Sequence, residues 1–170
     1  MKRIVLLLLI TVCAFKLYGQ DKLPAANKLQ DNVGDISFDP KIDDPAFHPC
    51  DPNGIHQYYG PDTHYKGGAQ VLKNYLKGKF KYEAGYAGAT GYVTIRFVVN
   101  CKGQTGWFRI MQIDNNYQQV QFNKKLVNSL LALTRSLNDW IPGKWGGADS
   151  DTYYYLNYKL VNGHLKDITP

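Results

Sequence analysis

Four side chains able to hold a soft divalent metal, His48, Cys50, His56 and His64, fall close together in the first half of the chain. Imidazole nitrogen and thiolate sulfur are the usual zinc ligands. Their spacings fit no familiar zinc pattern, however, and the stretch reads as a proline-rich loop with one cysteine taken by a disulfide, so no metal and no other cofactor is expected. Nucleophilic catalysis has less behind it. No Gly-x-Ser-x-Gly occurs, the few serines lack a His or Asp at suggestive spacing, and an oxidised Cys101 would have no thiolate to offer. Gly85, Gly88 and Gly91 are spaced like a phosphate cradle, but no Gly-Lys-Ser/Thr follows and the run leads into a strand instead of a helix. A flexible connector is the better reading. The chain is therefore expected to bind without catalysing.

Export is written at the start. Met1-Lys2-Arg3, an apolar run from Ile4 to Phe15 and Lys16-Leu17-Tyr18-Gly19-Gln20 have the charge, grease and small residue of a signal peptide over residues 1–19, cut after Gly19 or Gln20. The apolar run is well short of the roughly 20 residues that a membrane-crossing helix needs. Removing Lys2, Arg3 and Lys16 takes the net charge from +6 to +3, and the remaining lysines are scattered, which argues against a nucleic-acid surface. Processing also removes Cys13. Cys50 and Cys101 remain, and an even pair in an exported chain predicts a disulfide.

Residues 20–65 carry six of the eight prolines and no apolar periodicity. They are expected to form an extended leader, pinned to a domain of residues 66–170 by that disulfide. Within the domain Ala69, Leu72, Tyr75 and Leu76 fall at helical spacing. Val93, Ile95, Phe97 and Val99 alternate as in a half-buried strand, residues 107–113 repeat the pattern, and the turn-forming 100–104 between them predicts a hairpin. Leu126, Leu130, Leu133 and Leu137 mark the main helix, which Pro142 and Gly143 must follow at a distance. Tyr154, Leu156, Tyr158 and Leu160 alternate again, and Asn162-Gly163 predicts a tight turn into a short last strand. The expected fold is α+β: a two-layer sandwich with a small antiparallel sheet on a main helix and a short N-terminal helix. Trp107, Tyr153 and Tyr155 fall on the opposite face, either exposed for recognition or packed beneath the leader. Trp140 and Trp145 are expected to close the core.

The run from Gly67 to Leu76, the strand Gly91-Tyr92-Val93-Thr94-Ile95-Arg96-Phe97-Val98-Val99, the turn with Gly103 and Trp140-Ile141-Pro142-Gly143-Lys144 together resemble the TonB C-terminal domain family. The resemblance covers about residues 65–168. It implies a periplasmic or cell-envelope, protein-binding domain that grips an outer-membrane receptor, or another envelope protein, by taking a short partner segment onto its sheet edge in transmembrane transport. By position, residues 152–160 and the following turn are the expected docking edge, with Thr152, Tyr153, Tyr155, Asn157, Lys159, Asn162 and Gly163 as partner-binding residues. The alternative is a structural envelope component whose leader covers that edge itself. The family's transducers carry a membrane anchor and a long proline-rich spacer, which this sequence does not display.

Overall fold

Apolar alternation needs a neighbouring strand and a covering layer before it can bury anything. The computed structural model describes residues 34–169, so the expected signal peptide and the first part of the leader lie outside the described residues. In chain order the elements are β1 (His56–Gln57), β2 (His64–Tyr65), α1 (Gly68–Lys79), a 3-10 turn (Ala84–Tyr86), β3 (Gly91–Val99), β4 (Thr105–Asp114), α2 (Lys124–Arg135), β5 (Trp140–Ile141), β6 (Gly143–Trp145), β7 (Ala148–Ser150), β8 (Thr152–Val161) and β9 (His164–Thr169). The chain is α+β. Its main sheet has five strands in the order β1-β8-β3-β4, with β9 also on β8.

The expected hairpin of β3 and β4 forms, with Ile95 opposite Ile110 and Gly91 opposite Asp114. β8 runs antiparallel along the whole of β3, from Gly91 opposite Leu160 to Val99 opposite Thr152. The turn between β8 and β9 has Asn162 at φ 49° and Gly163 at φ 76°. Asparagine and glycine adopt that left-handed pair at least cost, which is why the dipeptide stands there. The sheet is mixed and not purely antiparallel as expected, because β1 adds to β8 in parallel.

One face of β3 and β8 supplies Val93, Ile95, Phe97, Val99, Tyr154, Leu156, Tyr158 and Leu160 to a buried cluster shared with Leu72 and Leu76 of α1 and Leu126 and Leu130 of α2. Inside it the Tyr158 hydroxyl lies 2.7 Å from Thr134 Oγ1, which itself donates to the Leu130 carbonyl. Asn123 caps α2, its side chain accepting from the Lys125 N–H at 2.8 Å. The helix ends at Arg135, so Leu137 reaches the core from the segment that follows. Trp140 is buried in the same cluster, whereas Trp145 is 58% exposed and stacked on His56. The expectation that both indoles close the core thus holds for Trp140 only.

The leader is more structured than its composition predicts. From Asp35 onward the described chain belongs to one compact unit, with no break in compactness near residue 65. Ile36 and Phe47 form a second buried cluster with Val98, Trp107 and Tyr153 on the other face of the sheet. The cause is the alternation itself: a strand with apolar residues on both faces needs cover on both, and the leader provides the second.

Candidate functional site at the sheet edges

Polar contacts concentrate where the leader meets the turn between β3 and β4. Cys50 and Cys101 are disulfide-bonded, with Cα atoms 6.0 Å apart. Beside them Asp151, 2% exposed, accepts the Asp51 N–H on one carboxylate oxygen at 2.6 Å and the Cys101 N–H on the other at 2.8 Å. Its carbonyl receives the His56 N–H. Asn100 accepts the N–H groups of Lys102 and Gln104 and donates to the His48 carbonyl. Cys50, Cys101, Asp151 and Asn100 together knot the leader to the sheet. His56 stacks on Trp145, and His64 Nδ1 faces the Asp62 carbonyl. Among the described residues the one grouping of metal-ligand type is Cys50, Cys101 and Asp151, and there each sulfur is bonded to the other.

The expected docking strand is not an edge. β8 is paired with β3 on one side, while on the other β1 takes Thr152 and Tyr153 and β9 takes residues 157–161. Between those two pairings residues 154–156 are left, and Tyr58 lies there. Its ring is 5.5 Å from that of Tyr154 and 5.3 Å from that of Tyr155, and its hydroxyl is 3.3 Å from the Tyr155 hydroxyl. Successive strand residues point to opposite faces, so a ring near both must straddle the margin. The contact with Tyr58, followed by burial, pushes the Tyr155 phenol up to about 12, so it stays neutral and hydrogen-bonded at physiological pH. Tyr153 is buried under Ile36, and Thr152 Oγ1 lies 2.7 Å from Thr63 Oγ1. Asn157 accepts from Thr94 at 2.6 Å. Lys159 alone of the β8 residues proposed for docking is well exposed, while Asn162 and Gly163 form the turn packed on Thr90 and Tyr86. The structure brings these residues together as an internal strand and its turn, which corrects the expectation of an open margin there.

The outer margin of the sheet is β4. Its last residues are paired by the chain's own return: the Asp114 N–H bonds to the Gln118 carbonyl, and the Val120 N–H to the Gln112 carbonyl. Residues 112 and 114 therefore point their backbone groups outward, and by the period of two so does Ile110. Among the described residues no strand pairs with the outer side of residues 105–110. A bulge interrupts this stretch. Arg96 faces Arg109 and Val98 faces Gly106, so Phe97 stands opposite both Trp107 and Phe108, and Trp107 takes φ 54°. A left-handed conformation is an outlier for a bulky aromatic. The Trp107 indole N–H is also buried, with no hydrogen-bond partner among the described residues.

Next to the bulge opens a cleft of about 440 Å³, bounded by the leader turn at residues 41–44, by residues 105–108 and by Arg135. On the leader side Arg109 makes two 2.8 Å bonds to Asp43. That guanidinium, chiefly, holds the Asp43 carboxyl below its usual value against the opposing effect of burial. On the other side the Arg135 guanidinium lies 5.1 Å over the Phe108 ring. Sequence reasoning missed this margin, since nothing in the alternation of residues 107–113 says which strand ends the sheet.

No family model matches the chain, and no curated protein or solved structure does so either. No helix among the described residues is long and apolar enough to cross a membrane, and this together with the disulfide is compatible with export.

Proposed function

We propose that the chain is an exported, non-catalytic protein-binding module of the cell envelope, with the two-layer sheet-and-helix arrangement and the transport association that its TonB-like residues imply. It accepts an extended partner segment as an added strand. The observation that carries this reading is the outer side of residues 105–110 at the end of a five-stranded sheet, with which no strand pairs among the described residues. A guest backbone can pair with the amides and carbonyls of such a margin without any reacting side chain, the Phe108 carbonyl excepted, since it already accepts from the Arg109 guanidinium at 2.9 Å. Docking belongs on β4, because β8 is already flanked on both sides.

Ile110→Pro tests it. The Ile110 N–H points away from β3, so proline there removes a donor to the guest while sparing the ladder. Wild-type protein should retain an envelope protein from detergent extracts, and the proline variant, with unchanged near-ultraviolet circular dichroism, should lose it. Equal retention by both would sink strand addition at this margin. Export is checked by the mass of the mature protein under non-reducing conditions, which should correspond to an amino terminus at Gln20 or Asp21 and two fewer hydrogens for the disulfide.

A second reading, a bracing component whose leader covers the sheet margin, draws on the pairing of His56–Gln57 with β8. It predicts slow amide exchange along the outer side of both β8 and β4 in the free protein. The first reading predicts slow exchange on β8 and fast exchange at Ile110.

A further inference from the structure

The cleft at the β4 bulge says more about the guest than an open margin alone would. Trp107 packs into the leader-covered cluster, and Phe108 stacks on Phe97 of the helix-covered one. The two residues thus face opposite sides of the sheet. A cleft lined by both, by the leader turn and by the end of α2 must lie across the sheet margin itself, with one wall on each face. The leader wall carries Lys41 and Ile42, and the helix wall carries Arg135 over Phe108. Each wall therefore sets one cation beside an apolar surface, and the leader wall adds the exposed Asp44 carboxylate.

Of the acidic side chains lining the cleft, Asp43 is paired with Arg109 and Asp44 is an exposed carboxylate, so the two cations Lys41 and Arg135 outnumber it by one. Asp43 is held by Arg109 and by the Asp39 N–H, and Asp44 turns an oxygen back onto the Ala46 N–H. Neither Lys41 nor Arg135 is in an ion pair among the described residues. A guest strand lying in the cleft would send alternate side chains to the two walls.

Resting on the reading of β4 as a docking margin, we propose that the cleft selects an acidic extended segment, one that places a carboxylate beside an aliphatic side chain on each of its faces. Carboxylates on adjacent guest residues reach Lys41 on one wall and Arg135 on the other, and the flanking aliphatic residues cover Ile42 and Phe108. The bulge suits this role, since it breaks the flat margin that would otherwise pair indiscriminately with other strands, and turns neighbouring aromatics to the two walls.

The test uses the mature protein and two capped hexapeptides, Ile-Val-Glu-Glu-Ile-Val and its counterpart Ile-Val-Lys-Lys-Ile-Val, with binding followed by amide chemical shifts. The acidic peptide should shift residues 105–110 and bind at least about tenfold more tightly at low salt than the basic one, the gap narrowing as salt screens exposed charges. Lys41→Ala with Arg135→Ala, both at exposed positions, should erase most of that preference. Ile110→Pro should abolish binding of either peptide. Equal binding of the two peptides, still lost in Ile110→Pro, would overturn the acidic preference and leave strand addition standing. Acidic-peptide binding that survives Ile110→Pro would overturn strand addition. No binding of either peptide would overturn the proposal for the cleft.

Discussion

Arg109 grips Asp43 with two parallel hydrogen bonds of 2.8 Å, joining a surface strand to a leader turn 66 positions earlier in the chain. The Asp43 side chain is 1% exposed in this contact and that of Arg109 28%. A bidentate pair of this kind is among the stronger polar contacts in proteins, and it fixes Asp43, which lines the cleft.

Asp43→Asn should destabilise the protein by about 1 to 3 kcal/mol at pH 7, because the Arg109 fork is left against a neutral amide. The folded chain lowers the Asp43 pKa. The stabilisation is therefore complete above the unfolded value of about 3.9 and is lost as pH falls through the lowered folded value. Urea midpoints of wild type and variant should differ at pH 7 and converge as pH falls through the lowered folded value. A gap independent of pH would assign the effect to packing.

Asp151 is expected to matter out of proportion to its size. Each carboxylate oxygen receives a different backbone N–H, so Asp151→Asn leaves either Asp51 or Cys101 facing an amide donor, at a cost of about 1 to 3 kcal/mol. Cys50→Ser with Cys101→Ser opens a covalent loop 51 residues long, worth about 4 kcal/mol on the chain-entropy account. The two changes should also couple, since both tie the leader to the same turn. A double-mutant cycle returning strict additivity would mean that the carboxylate and the disulfide act independently.

The Tyr158–Thr134 contact predicts an ordering of two variants. Thr134 spends its hydroxyl proton on Leu130, so Tyr158 must be the donor. Tyr158→Phe removes a donor and should cost about 1 kcal/mol, while Thr134→Val strands a buried phenol hydroxyl and should cost about 1 to 3 kcal/mol. Chemical denaturation of the two gives the ordering, and the reverse ordering would contradict the reading of this contact.

Gly106 is held by shape. A Cβ there would stand 2.2 Å from the Phe47 ring, so Gly106→Ala should destabilise by about 1 to 3 kcal/mol through overpacking. Combined with Phe47→Ala, it should add almost nothing to the loss that Phe47→Ala causes alone. A full additional penalty in the double variant would place the clash elsewhere.

Much of this architecture is legible in local pattern. The strand at residues 91–99, its hairpin partner, the stripe of Leu126 and Leu130, and the Asn162-Gly163 turn follow from periods of 2 and 3.6 and from turn chemistry, which are properties of neighbouring residues. The disulfide follows from there being two cysteines left to pair. Trp145 misled because a tryptophan near a Pro-Gly turn looks the same whether it caps a core or lies outside on a hairpin.

The leader misled for a related reason. Ile36 and Phe47 are isolated apolar residues among prolines and aspartates, with no period to announce burial, and they are buried because Val98, Trp107 and Tyr153 present a second apolar face. The same holds for the polar knot, where Asp151 meets Asp51 across 100 positions.

What the sequence determined by itself is the two helices, the strands β3, β4, β8 and β9, and the covalent tie, since each is encoded by residues adjacent in the chain or by simple pairing. Which strand stands at the margin was decided only in three dimensions. Strand order is a matter of long-range hydrogen bonding, and β1 and β9 fill the outer side of β8 through pairings that no local period records. The open backbone was thereby moved to β4, and the cleft with it.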